Sequence, residues 1–180
     1  MKDEFQDNPF WDFSASIYGR PGVADACLFL QDRYGLDVNV MLFCVWVGST
    51  GRGPLEVHEI DACVSRSSDW RKRVIEPLRQ IRRACRDKPL GVPEFLLQVF
   101  RASMHDVELD AEHVEQLVLA ELAPTMPVED VADDVRFDDA RLSLLRYVQH
   151  QGAPRDSGLD ECLLAILRAA FPGVLRDGLD

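Results

Sequence analysis

The feature that most constrains this chain is the run Val38 to Val47 (VNVMLFCVWV), in which Asn39 is the one polar residue. At helical spacing the run is apolar nearly all round, so no rotation of it turns a polar face to water. It also falls far short of the roughly 20 apolar residues that span a bilayer. It must therefore be covered on every side by other parts of the chain. Its length, Met41, Leu42 and the helical patterns on either side favour a helix capped by Asp37. Its β-branched valines leave a buried strand as the alternative.

The elements that cover it read as helices. Asn8-Pro9 is an N-cap followed by proline at the first helical position, opening a short helix that Gly19 ends, with Phe10, Phe13 and Ile17 on one face. Pro21 opens a second helix to Tyr34, capped by Gly35, with Ala24, Cys27, Leu28 and Gln31 adjacent at helical spacing. Gly48 to Gly53 is a loop. A fourth helix is expected over Pro54 to Arg66, its buried side drawn either from Leu55, His58, Ala62 and Ser65 or from Ile60 and Val64. Ser67 or Ser68 restarts the chain, after which Trp70, Val74, Leu78, Ile81 and Cys85 make one apolar stripe. Pro77 within that stripe calls for a kink or a new helix.

Further on, Leu96, Val99 and Phe100, then Val114, Leu117 and Val118, mark helical patterns that can join into one long helix. The last two helices are expected at Asp139 to Gln151 and Ser157 to Phe171. The fold predicted is all-α, a compact multi-helix bundle of about seven helices around a central apolar one, in a single domain over 1–180.

Charge is unevenly placed. Residues 1–101 hold 14 acids and 14 bases, residues 141–180 hold five of each, and residues 102–140 hold 12 acids against Arg136 alone. The net charge of −11 therefore lies in that one stretch. Within it, 124–139 reads as an exposed acidic loop or short helix. Residues 71–88 carry eight bases against Glu76 and Asp87. Three readings compete for the basic helix bearing Arg71, Lys72, Arg79, Arg82, Arg83 and Arg86. It can pair internally with Asp106, Glu108, Asp110, Glu112 and Glu115. It can dock an acidic protein or a phosphorylated ligand. Nucleic acid is disfavoured, since a chain of pI about 4.8 is repelled by a phosphate backbone at long range.

Motifs that carry chemistry are sparse. His58-Glu59 opens like a zinc-protease motif, but Ala62 stands where the second ligand belongs. Asp110 and His113 have the spacing of one arm of a di-iron site, which needs a second such pair and two more carboxylates. Gly48-Ser49-Thr50-Gly51-Arg52-Gly53 lacks the Lys-Ser/Thr ending of a phosphate loop, and no base stands beside Ser49, Thr50 or any cysteine. The five cysteines are widely spaced and read as buried thiols in a reducing compartment. No metal or cofactor is expected. The acidic N-terminus has no basic start or apolar stretch of a secretory signal, and cytoplasmic residence is expected. Phe10, Trp11, Phe13 and Tyr18 either belong to the core or line a pocket. Asn39 and Gln31-Asp32 lie beside the most apolar part of the chain. There a buried hydrogen bond from Asn39 to a neighbouring helix and a ligand cavity are the competing readings.

The residues Phe10-Trp11-Asp12-Phe13-Ser14, Tyr18, Pro21-Gly22-Val23-Ala24, Ala26-Cys27, Leu30-Gln31-Asp32, Gly35-Leu36-Asp37-Val38-Asn39 and Leu42-Phe43-Cys44-Val45-Trp46 resemble a proteobacterial family known only as a domain of unknown function. The likeness continues through Trp70, Pro77-Leu78-Arg79 and Arg82-Arg83 and covers roughly residues 8 to 120. It implies a bacterial cytoplasmic helical protein and assigns a role to no residue. Two functions are carried forward. The first is a non-enzymatic interaction module that engages an acidic protein partner through the basic helix, or another protein through the acidic stretch. The second is a small-molecule-binding or catalytic helical protein whose pocket lies near Trp11, Tyr18, Gln31 and Asn39.

Overall fold

A computed structural model describes residues 8–87, 91–124 and 130–179. Every regular element among them is helical: α1 (Pro9–Tyr18), α2 (Val23–Tyr34), α3 (Val38–Ser49), α4 (Val57–Trp70), α5 (Glu76–Asp87), α6 (Glu94–Ala120), α7 (Asp133–His150) and α8 (Ser157–Ala170). A π-helical turn, Arg71–Ile75, joins α4 to α5 without a break, so the described chain forms seven continuous rods. None is long and apolar enough to cross a membrane.

The central run is a helix, and the strand alternative falls. Asp37 Oδ1 accepts the Asn39 backbone N–H at 2.9 Å, which caps the first turn of α3. Nine of the twelve α3 residues are buried. Each large apolar side chain removed from water there contributes about 1.5–3 kcal/mol. α3 lies along α7 and is flanked by α1, α2, α6 and α8. The close approach to α7 depends on Gly48, where an added Cβ would lie 2.4 Å from the Ala140 backbone nitrogen. α7 is also tied to the connections on either side of α3. The Tyr147 hydroxyl accepts the Asp37 N–H at 2.8 Å, and the Ser143 hydroxyl accepts the Leu55 N–H at 2.8 Å.

The predicted caps of α1 and α2 hold. Asn8 Oδ1 accepts the Phe10 N–H at 2.9 Å, and Gly35 at φ 69° takes the left-handed conformation that lets its N–H reach the Gln31 carbonyl. α2 starts at Val23 rather than Pro21, and its buried face is Val23, Ala26, Cys27 and Leu30; Leu28 is exposed.

Three expectations are corrected, and one choice between two faces is resolved. The chain does not restart at Ser67 or Ser68, because α4 runs through both. Of the two faces expected for α4, the one with Ile60 and Val64 turns inward, joined by Cys63 and Ser67, whereas His58, Ala62 and Ser65 of the other are exposed. The stripe from Trp70 to Cys85 is broken, with Ile81 exposed and Ile75 buried, because the π turn takes in an extra residue and rotates all that follows. That turn accommodates Pro77, which lacks the N–H an α-helix would direct at Arg73; the Glu76 N–H instead reaches five residues back to the Arg71 carbonyl. Finally, α7 begins at Asp133 rather than Asp139, so the acidic residues 133–139 form the start of a long helix anchored by buried Phe137. Residues 125–129 of the acidic stretch lie outside the described residues.

α6 is the one long helix foreseen as a possibility, but its first half does not bury the apolar residues expected of it, and its inner face includes polar groups. Leu96, Val99 and Phe100 are exposed, while Glu108, Glu115 and Gln116 are among its buried residues. Charged and amide groups go inside only when partners await them, and those partners build the site described next.

Candidate functional site

Five helices converge on a partly open cleft beside the first turns of α3. Each contributes residues spaced three or four apart and so aligned on one face. α1 presents Trp11, Ser14, Ala15 and Tyr18, and α2 presents Leu28 and Gln31. α3 adds Val38, Asn39 and Leu42, α5 adds Arg79, Arg82 and Arg83, and α6 adds His105, Glu108, Leu109, Glu112 and Gln116. The cavity measures about 440 Å³, within the ~300–1,000 Å³ span of small-molecule sites. Trp11, Tyr18, Gln31 and Asn39, expected together from the sequence, all line this one space. A hollow of about 460 Å³ between α4 and α6 is comparable in volume, but it lies among the exposed Arg66, Asp69 and Arg73. The first cavity is walled by the buried Ser14, Asn39, Leu42, Glu108 and Gln116.

One wall is an arginine–glutamate lattice. Arg79 donates from Nε to Glu108 Oε1 at 3.1 Å, from Nη2 to Glu112 Oε1 at 2.5 Å and from Nη1 to Gln31 Oε1 at 2.5 Å. Arg82 grips Glu108 with two bonds, Nε to Oε2 at 2.6 Å and Nη2 to Oε1 at 3.1 Å. Such forked, charge-assisted bonds fix both side chains. Burial alone would raise the Glu108 carboxyl, yet Arg82 and Arg79 together hold it below the usual carboxylate range. At Glu112 burial wins over Arg79, and the carboxyl is raised.

The floor is a chain of buried polar groups. Gln116 Nε2 donates to Asn39 Oδ1 at 2.8 Å, and Asn39 Nδ2 donates to Glu115 Oε2 at 2.5 Å. Asn39 is thus bonded to a neighbouring helix and also lines the cavity; the two readings of it coexist. Burial first, then the nearby Asp37 carboxylate, push Glu115 up to about 9. Glu115 therefore holds its proton at neutral pH, while Asp37 Oδ2 lies 3.6 Å from Arg71 Nη1. Two atoms of the cavity-lining residues, Ser14 Oγ and Gln116 Oε1, have no hydrogen-bond partner within the described chain. Each unpaired buried group costs about 1–3 kcal/mol.

The six basic residues singled out from sequence are distributed differently. Arg79 and Arg82 face inward. Arg71 reaches Asp37, Glu76 at 3.3 Å and the Gly35 carbonyl at 3.2 Å. Arg83 pairs with Asp32 at 3.1 Å on a partly exposed edge. Lys72 and Arg86 are exposed, and Arg86 lines a groove next to the cavity mouth. Of the acids proposed as internal partners, Glu108 and Glu112 bind arginines, Glu115 binds Asn39, and Asp106 and Asp110 are exposed. Sequence reasoning did not assign Glu108, Glu112, Gln116 or Ser14 to the pocket. The available signal was the spacing of Glu108 and Glu112 matched to that of Arg79, Arg82 and Arg83.

His113 stacks on Trp11 with centroids 4.0 Å apart and planes 11° from parallel, and burial lowers its pKa. Among the described residues no three His, Cys, Asp or Glu side chains converge as metal ligands. All five cysteines are free thiols, four of them buried.

Comparison with known families matches residues 9–119 to the family described as "Protein of unknown function (DUF2390)". The chain belongs to that family. The match takes in α1 to α5 and nearly all of α6, hence every residue that lines the cavity. No curated protein and no solved structure matches the chain.

Proposed function

We propose that this DUF2390 member binds a small molecule in the cavity between α1, α2, α3, α5 and α6. The observation that carries the reading is a cleft of about 440 Å³ whose apolar wall (Trp11, Val38, Leu42, Leu109) faces a lattice of arginine and glutamate already held in place. An apolar lining with a few fixed polar groups is the usual make-up of a ligand pocket, and groups held in advance lose little entropy on binding. The free thiols and the resemblance to a bacterial family support a cytoplasmic setting.

The test is a thermal-shift screen against metabolites with the chain and its Ala15→Phe variant. Ala15 is exposed on α1 and lines the mouth, so phenylalanine there fills space without disturbing the core. Binders should raise the melting temperature in a concentration-dependent way, and the variant should lose the shift while melting normally. Equal shifts in both proteins would remove the reading.

A second reading, engagement of a protein partner, draws on a different surface. Phe95, Leu96, Val99 and Phe100 are exposed together on α6, next to Arg101. Apolar patches of this kind mark interaction sites. Asp substitution of Val99 that leaves every partner bound in a pull-down would count against it.

A further inference from the structure

On one side the cavity mouth runs on into a second feature of the surface. It opens beside a groove of about 380 Å³ lined by Arg82, Arg86, Arg101, Ala102 and His105, and Arg82 and His105 belong to both spaces. No lining side chain of the groove is a carboxylate. Two of its guanidiniums are braced from behind. Arg82 is held by its fork on Glu108, which takes two of the five N–H donors of the group. Arg101 bridges the α5–α6 gap by donating from Nη1 to the Cys85 carbonyl at 3.0 Å and from Nη2 to Glu94 at 2.8 Å. Planar, permanently charged donors fixed in this way suit phosphate, sulfonate or carboxylate, and they need no reorganisation to receive it. At the far end of the joined space the walls are apolar, with Leu42 buried and Trp11 half-buried.

We infer that the ligand of the cavity is an amphipathic anion. Its apolar body lies against Trp11 and Leu42, and its anionic group sits in the groove of Arg82, Arg86 and Arg101. This assignment rests on the small-molecule reading above and adds the chemical class. The net charge of −11 repels anions at long range, so the groove has to act locally and its contribution weakens as salt screens it.

The experiment compares matched probes by isothermal titration and tryptophan fluorescence on the full chain. The probes are 1-naphthyl phosphate, octyl phosphate, neutral 1-naphthol and inorganic phosphate. A phosphate ester is expected to bind about tenfold or more tighter than naphthol, since one well-placed charge-assisted contact is worth that factor. The naphthyl and octyl arms separate an aromatic from an alkyl source of the apolar body. Arg86→Gln, on an exposed side chain, should cut the preference for the ester several-fold while leaving naphthol binding unchanged. Ala15→Phe should weaken every aromatic or alkyl probe. Naphthol binding as tightly as its phosphate, with both blocked by Ala15→Phe, overturns the anion assignment and leaves the cavity reading standing. Inorganic phosphate binding as well as the esters overturns the two-part ligand. Failure of all four probes overturns both readings together.

Discussion

α3 and the α5–α6 seam are equally indispensable to the site, yet they are held by opposite chemistry. α3 is locked by dispersion and desolvation, with Phe43 at ring-centroid distances of 5.3 Å from Phe10 and 5.7 Å from Trp46 and no exposed surface. The seam is locked by directed bonds, with Arg79 and Arg82 on Glu108 and Arg79 also on Glu112. The apolar region tolerates a lost contact in proportion to the volume removed. The polar region does not, because losing one partner strands the other in a poorly solvated place. The difference teaches that the chain makes its core from shape and its cavity wall from charge.

The comparison can be broken in order of effect. Phe43→Ala should cost about 3–5 kcal/mol in denaturant unfolding, as expected for a fully buried aromatic. Glu108→Ala should cost nearly as much, about 2–4 kcal/mol, because it takes from Arg82 the carboxylate that grips it and leaves Arg79 with Glu112 as its one bonded carboxylate. Replacing Arg79, Arg82 and Glu108 all by Leu should recover most of that loss while abolishing anion preference in the cavity. Were the triple variant as unstable as Glu108→Ala, shape rather than charge would govern the seam as well.

A subtler difference shows in pH. Glu115 binds its proton more tightly in the folded chain than in the unfolded one, where it titrates near 4.5. Between about 4.5 and 9 the folded state therefore carries the extra proton, and stability falls as pH rises through that window. The slope from this one group approaches about 1.4 kcal/mol per pH unit. Below the window both states are protonated and the contribution is fully present. Glu115→Gln keeps an acceptor for Asn39 and a donor for Asp37, so it should flatten that slope in urea titrations at pH 5 to 8. A slope unchanged by the substitution would place the proton elsewhere. The smallest effect is expected at Arg83→Ala, within about 0.5 kcal/mol, because its pair with Asp32 is solvent-exposed and screened.

What the sequence made legible follows the same division. The central helix, its Asp37 cap, the Asn8-Pro9 start of α1 and the Gly35 stop of α2 are local signals, each read from a few adjacent residues. Trp11, Tyr18, Gln31 and Asn39 stood out as polar or aromatic groups beside an apolar run. The face of α6 was not legible, because periodicity assumes that apolar residues point inward and here Glu108, Glu115 and Gln116 do. Only partners on other helices, the arginines of α5 for Glu108 and Asn39 of α3 for Glu115 and Gln116, make that orientation favourable, and no window of α6 alone contains them. The π turn at Arg71–Ile75 was equally hidden, since an inserted residue leaves no compositional trace beyond the nearby Pro77.

Native mass spectrometry of the chain, purified without denaturation and compared with Ala15→Phe, tests the central claim most directly. The account expects a bound small molecule of anionic character on the wild-type chain, displaced by 1-naphthyl phosphate and missing from the variant. A chain that carries no such mass, takes up no naphthyl phosphate and behaves identically with Ala15→Phe would contradict it.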